Sequence, residues 1–425
     1  MNHNGYGNRR VVVTGLGAVS PLGNDVESTW QNLLAGKRVV RRIDRFDTTD
    51  FLTQIGAMVD AFDISEYEHL VSKKDARRMD LNVQYAIATT AQAMEDAELR
   101  VESNEQGERF GNIIGSGMGG VETLYTGHMT LFERGPMRVS PFTATYMLPN
   151  MASGLVGITF NLRAISYTIV SACATGTHVI GECAEIIRRG DADVMIAGGT
   201  ETPFVPFGVA AFHRTLALSQ RNDDPEHASR PFDRDRDGFV MGEGAGTLVL
   251  ESLEHAQQRG ATILAELVGY GATTDAYHVS APAEGGEGAA RAMRMALRKA
   301  GLEPEEVDYI NAHGTSTPLN DKEETAAIKR VFGEHAYNVP ISSTKSMAGH
   351  LLGAAGSLEG VVTVKSMVEN RIHPTLNLEN PDLEDGCDLD YVPGEPRDVN
   401  IRVAMSNSFG FGGHNATIIF KQFEA

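Results

Sequence analysis

Cysteine is scarce, with only Cys173, Cys183 and Cys387 in a chain of 425 residues. Three cysteines cannot build a disulfide framework, and these lack the spacing of a structural zinc site. They read as reduced thiols in a cytoplasmic protein, and no metal is expected. Basic charge is also in deficit, 37 Lys and Arg against 56 Asp and Glu, for a formal net of −19. A chain this acidic suits neither DNA nor RNA, whose phosphates need a basic surface. No run reaches the roughly 18 apolar residues of a membrane helix. The opening stretch Met1 to Arg10 has no apolar core, which argues against a secretory signal. Disorder is excluded by the 42% hydrophobic and 22% charged composition. Glycine is abundant instead, at 45 residues, which implies tight turns or backbones in close approach.

The length suggests two to four units at about 100–200 residues each, or one large composite fold. A β-branched run at Val11–Val13 ends in glycines and reads as a buried strand entering a tight turn. The same pattern recurs at Phe110–Gly120, Asp193–Gly199 and Val307–Gly314, with alanine-rich helical segments at Leu81–Leu99 and Gly288–Ala300. Alternating strands and helices imply an α/β fold with covered sheets. Two blocks recur in the same order. Gly242–Glu251 parallels Gly410–Phe420, and Ser171–His178 parallels Thr344–His350, matching Cys173 to Ser346 and Gly176 to Gly349. The expectation is a duplicated α/β unit, residues 1–260 and 261–425.

Cys173 lies where a strand-like run, Thr168–Val170, gives way to a helical face of Val179, Cys183 and Ile186. Arg188, Arg189 and Gly190 close that helix. A cysteine at a helix N-terminus meets unpaired N–H groups and the positive dipole end, which favour the reactive thiolate and can hold an oxyanion. The plain alternative is a buried structural thiol, which suits Cys183 and Cys387. His313 and His350 each stand at a glycine-rich turn, where α/β folds gather function at strand ends. The sequence Gly115-Ser-Gly-Met-Gly-Gly120 fits a dinucleotide fingerprint literally. It lacks the following strand and acidic residue that the fingerprint requires, so it is set aside.

Three of these contexts together resemble the type II beta-ketoacyl-[acyl-carrier-protein] synthases, condensing enzymes of the thiolase superfamily. They are the Cys173 block, His313-Gly-Thr-Ser-Thr-Pro318 and Lys345-Ser-Met-Ala-Gly-His350. The resemblance runs from Val11 to the Gly410-Phe-Gly-Gly413 turn. A thiolase would carry a second catalytic cysteine near that end, and the acetyl-CoA-using type III synthases carry Asn in place of His350.

The resemblance implies a thiolase-like fold whose duplicated α/β halves form a layered α-β-α-β-α sandwich, with Cys173 in the first half and both histidines in the second. It implies a decarboxylative Claisen condensation that elongates fatty acids. Cys173 would carry the acyl group, His313 and His350 would bond the enolate, and the N–H groups of Cys173 and Phe411 would form the oxyanion hole. Phe411 matches the family's gating phenylalanine, with Phe409 as its neighbour. Lys345 and Glu359 match further active-site positions, Thr315 and Thr317 match residues holding the pantetheine arm, and Met118 matches a position lining the acyl pocket. No cofactor belongs to the chain itself, because 4'-phosphopantetheine arrives on the acyl carrier protein. For docking that acidic partner, Lys73, Lys74, Arg77 and Arg78 on a helix, with Arg214, are the candidates. A homodimer is implied as well. A polyketide ketosynthase would carry the same three residues, and a non-catalytic dimer partner stays open until the thiol is tested.

Overall fold

The computed structural model describes residues 9–424. Ten strands share one sheet: β1 Val11–Val19, β2 Phe110–Gly115, β3 Ser166–Tyr167, β4 Val194–Glu201, β5 Gly244–Ser252, β6 Ala265–Thr274, β7 Tyr309–Asn311, β8 Ile341–Ser342, β9 Val403–Gly410 and β10 His414–Lys421. Their spatial order is β8-β7-β9-β10-β6-β1-β5-β4-β2-β3. Cut between β6 and β1, each group of five follows one scheme, with the third, second, fourth, fifth and first strands in order from the outside. Strand sense repeats too. The outer three strands of each group are parallel and the inner pairings antiparallel. Within the sheet the groups meet at Val12 opposite Glu266 and Val13 opposite Ala265.

Four helices complete the layers: α1 Leu81–Asp96, α2 Thr175–Arg189, α3 Glu287–Ala300 and α4 Ala355–Glu369. The helices α2 and α4 pack on each other and touch strands of both groups, which makes them the middle layer. Almost every residue of α4 is buried, as expected of a helix with no solvent face. The outer layers are α1 against β1 and β5, and α3 against β6 and β10. This is the layered α/β arrangement expected from the sequence.

Two local expectations need correction. The strand at Val11 does not stop at its glycines but continues to Val19. A Cβ at Gly15 would lie 2.1 Å from the Ala93 carbonyl oxygen, and one at Gly17 would lie 1.9 Å from that of Thr89. These glycines let α1 lie directly on the strand backbone. Thr168–Val170 is not a strand either, since β3 ends at Tyr167. Thr168 instead donates its hydroxyl to the Ile114 carbonyl at 2.6 Å and ties the segment down from the side.

Candidate active site

The reactive groups follow the ends of corresponding strands. Cys173 comes after β3 and Lys345 to His350 after β8, while His313 follows β7 and Phe411 follows β9. The helix α2 starts at Thr175, two residues later than a start at Cys173. The turn before it is tight, with the Ala174 N–H on the Ser171 carbonyl at 3.1 Å and the Thr175 N–H on that of Ala172 at 3.2 Å. The Ser171 N–H also donates to Thr175 Oγ1 at 2.8 Å. Ala172 sits at φ +50°, a left-handed conformation that alanine adopts only when its surroundings impose it. That twist presents Cys173, half-buried, to a cavity of about 360 Å³ also lined by His313, His350, Phe409 and Phe411.

The end of β9 lies against this turn. A Cβ on Gly410 would stand 2.9 Å from the Ser171 carbonyl oxygen and 3.0 Å from the Cys173 nitrogen. The close approach sets the Phe411 N–H beside Cys173, where it favours negative charge at the sulfur and can serve an oxyanion forming on an acyl group held there. The expected thiolate is not the resting form. Burial pushes the Cys173 thiol up to about 12, against the opposing pull of the Lys345 charge and the Phe411 N–H. Desolvation of an anion outweighs what one helix end supplies.

The two histidines face each other edge to face, ring centroids 5.4 Å apart at 87°. The His313 and Gly314 N–H groups donate to the two oxygens of buried Glu324 at 2.8 and 2.7 Å, which fixes the turn after β7. For His350, the Leu352 N–H lies 3.3 Å from Nδ1. A backbone N–H can only donate, so Nδ1 accepts and the ring proton sits on Nε2. His350 Nε2 and His313 Nδ1 are both buried without a hydrogen-bond partner among the described residues. Burial, followed by the charge of Lys345, holds both imidazoles well below the usual histidine range, so they are neutral. Lys345 is itself buried and paired with Glu359. Burial raises the Glu359 carboxyl to about 7, with Lys345 opposing.

The remaining residues divide by location. Thr315 and Thr317 line the cavity with hydroxyls 3.0 Å apart, and Thr317 also caps the helix Pro318–Phe332 through the Asn320 N–H at 3.2 Å. Phe409 stacks edge-on to His313, centroids 5.7 Å apart. Met118 does not line the cavity with Cys173. It packs into an apolar cluster behind the wall formed by Phe212 and Phe239. Lys73, Lys74, Arg77, Arg78 and Arg214 are exposed. The first four do not share a full helix, because the helical turn spans only Lys73–Ala76 with Arg77 as its cap. Arg78 covers the Phe142 ring at 4.6 Å, and Arg214 stands between cavity residues Phe212 and Thr215. Cys183 and Cys387 are fully buried.

Sequence reasoning passed over Glu324, Phe212 and Phe239, and the loop of Asp275 that also lines the cavity. The one signal available for Glu324 was an acid placed 11 residues after His313 on a following helix.

The beta-ketoacyl synthase N-terminal domain model matches residues 8–256, and the corresponding C-terminal domain model matches residues 264–379. The 3-oxoacyl-[acyl-carrier-protein] synthase 2 of Staphylococcus aureus strain COL is 51% identical over 418 residues, covering 98% of this chain and 99% of that protein. The protein of the same name from Vibrio cholerae serotype O1 is 52% identical over 416 residues, covering 97% and 99%. Among solved structures, a beta-ketoacyl synthase from Burkholderia phymatum superposes with TM-score 0.90 at 38% identity, covering 98% of this chain and all of that one. A type II polyketide acyl carrier protein in complex with its ketosynthase gives 0.89 at 36%, again over 98% and 100%. With both domain models matched in order, and a cysteine and two neutral histidines around one cavity, the chain belongs to the beta-ketoacyl synthase family.

Proposed function

We propose that this chain elongates fatty acyl groups by two carbons, condensing an acyl group held on Cys173 with malonyl-[acyl-carrier-protein] to release CO2 and 3-oxoacyl-[acyl-carrier-protein]. The observation that carries this reading is His350 Nε2–H, fixed by Leu352, neutral, and without a partner in the cavity that holds Cys173. Thioester exchange is nearly isoenergetic, so a thiol is a suitable acyl carrier. The Cys173 sulfur attacks the acyl carbonyl while its proton passes to His313, the imidazole whose accepting nitrogen is not committed elsewhere. His313 returns that proton to the departing carrier thiol. Malonyl thioester then loses its carboxylate as CO2, and the bonding pair becomes an enolate. Its oxygen takes hydrogen bonds from the two histidines, which a neutral ring supplies without prior charge. The enolate carbon attacks the Cys173 acyl carbon. The oxyanion forms at the Cys173 and Phe411 N–H groups, and collapse frees the sulfur as a thiolate, which takes a proton from solvent to restore the resting thiol.

The pantetheine arm would run along Thr315 and Thr317, and no cofactor belongs to the chain. Lys73, Lys74, Arg77, Arg78 and Arg214 would meet the acidic carrier. A homodimer is supported by the open edge of β3, where Tyr167 is exposed with Ile158 of the helix packed on that strand and Val170 of the segment that follows it, and by the exposed apolar side chains of Phe132 and Met137 elsewhere on the surface. Such an edge and apolar surface call for a cover. Among the described residues no helix is long and apolar enough to cross a membrane. Together with three free thiols, this supports work in the cytoplasm. Half identity to 3-oxoacyl synthases, against about a third to the polyketide ketosynthase, favours fatty acid over polyketide substrates.

Native mass spectrometry after incubation with acyl carrier thioesters tests the whole reading. The expected species is a dimer near twice 45.9 kDa carrying one acyl mass per subunit. Cys173→Ala should carry none. An acyl adduct on Cys173→Ala would refute the assigned nucleophile, and a monomer would refute the open-edge reading.

A further inference from the structure

Glu201 ends β4 with a fully buried side chain, and every hydrogen bond it accepts comes from an uncharged donor. Oε1 takes the Ser116 hydroxyl at 3.0 Å and the Met118 N–H at 3.0 Å. Oε2 takes the Gly117 N–H at 2.7 Å and the Gly353 N–H at 2.9 Å. A buried carboxylate without a counter-ion is costly, and it persists where those bonds hold something in place. Three of the donors belong to the turn after β2, in the first half of the chain. The fourth belongs to the second half, one residue beyond Leu352. The contact leaves no slack, because a Cβ on Gly353 would stand 2.4 Å from the Gly117 nitrogen and 2.6 Å from Glu201 Oε2.

Leu352 matters because its N–H determines which nitrogen of His350 carries the proton. It sits at φ +49°, a conformation leucine does not hold by preference. The neighbours of the His350 ring are the edge-on rings of His313 and Phe239, centroids 5.4 and 5.2 Å away, and neither orders the tautomer. Only a turn pinned on its far side keeps the Leu352 N–H aimed at Nδ1.

We infer that Glu201 is a positioning residue for His350: by anchoring Gly353 to the turn after β2, it holds the Leu352 N–H on His350 Nδ1 and leaves the Nε2 proton for the enolate oxygen. This rests on the proposed role of His350. Glu201 never touches substrate, and its reach into the chemistry is two residues of backbone. It also ties one half of the duplicated chain to the decarboxylation apparatus of the other.

The two half-reactions separate the outcomes. Glu201→Gln keeps the size but turns one acceptor into an NH2 facing N–H donors. The folded variant is expected to release CO2 from malonyl-[acyl-carrier-protein] about tenfold or more slowly. Acylation of Cys173, followed by mass shift, should stay within about threefold, since that step uses the Phe411 N–H instead. Wild-type CO2 release, or equal loss in both half-reactions, would overturn the inference. His350→Ala is the control. If it releases CO2 normally, the role of His350 fails. If it is slow beside a normal Glu201→Gln, only the role of Glu201 fails. Should Glu201→Gln not fold by circular dichroism, the wild type still tests the His350 tautomer on which the inference rests. In protein labelled with nitrogen-15 histidine, the His350 signal, identified by its loss in His350→Ala, should show protonation at Nε2, and protonation at Nδ1 refutes the inference.

Discussion

His313, His350 and His373 are buried, and burial keeps each imidazole neutral where an exposed one would begin to protonate. For the first two this serves the chemistry, because a neutral ring donates without being drained by a carboxylate. His373 lies outside the cavity and isolates the same physics. Its Nδ1 donates to the Pro374 carbonyl at 3.0 Å, and its Nε2 accepts from the hydroxyls of Thr344 at 3.1 Å and Ser342 at 3.3 Å. Burial lowers it to about 4. The unfolded chain therefore takes up a proton near pH 6.5 that the folded chain refuses until about pH 4. Stability from this group is complete above about 6.5 and is lost as pH falls through that window. Relative to His373→Gln, the wild type should lose about 1.4 kcal/mol per pH unit between about 6.5 and 4. The two should differ by a constant amount above it. Urea unfolding at several pH values measures this, and a difference independent of pH would sink the idea. At this scale the sequence pointed to residues that the fold gathers round one cavity and hid which residues hold them. Cys173, His313 and His350 stand in glycine-rich turns of recognisable composition. Glu201 and Glu324 look like ordinary acids, because their function is to accept N–H groups from segments that only the fold brings near.

Among the elements, the contact between the end of β9 and the turn before α2 sets where the Phe411 N–H stands relative to Cys173. Gly410→Ala would put a methyl within 3.0 Å of the Cys173 nitrogen and force the two apart. The Phe411 N–H would move away from Cys173 with them. Loss of one oxyanion donor costs about 10²–10³ in rate, so a displaced donor should slow Cys173 acylation by about tenfold or more. The rate of acyl-enzyme formation, read by rapid quench and mass spectrometry, checks it. An unchanged rate in a folded variant would show that this contact does not set the oxyanion hole. Helix periodicity and glycine punctuation were enough to place α1, α2 and α3 to within three residues at each end. They misread Val11–Val19, since a glycine that ends a strand and one that admits a helix onto its backbone look alike in one dimension. They also promised a strand at Thr168–Val170, where β-branched residues serve instead as a side-tethered lead into the nucleophile turn.

For the whole molecule, duplication and charge pull in different directions. The repeated strand order gives two similar halves, yet each holds part of one site, and the middle layer of α2 and α4 merges them. A net charge of −19 would repel an acidic carrier at long range, so productive encounter must depend on local positive charge. Lys73, Lys74, Arg77 and Arg78 are exposed, and the nearest acid to Lys73 is Glu68 at 3.7 Å, both well hydrated. Such a surface pair contributes about 0–1 kcal/mol at most, so Lys73 is free to exchange partners. The double reversal Lys74→Glu with Arg77→Glu should therefore raise KM for malonyl-[acyl-carrier-protein] by about tenfold with kcat nearly unchanged, because rim charges act on encounter rather than chemistry. Added salt should weaken the wild type more than the variant, whose attraction is already gone. A malonyl thioester of free pantetheine bears no acidic domain and should be used equally well by both. If the reversal lowers kcat with that small substrate as well, the segment acts on the site itself. If KM for the carrier does not move, the basic cluster at residues 73–78 is not where the carrier lands.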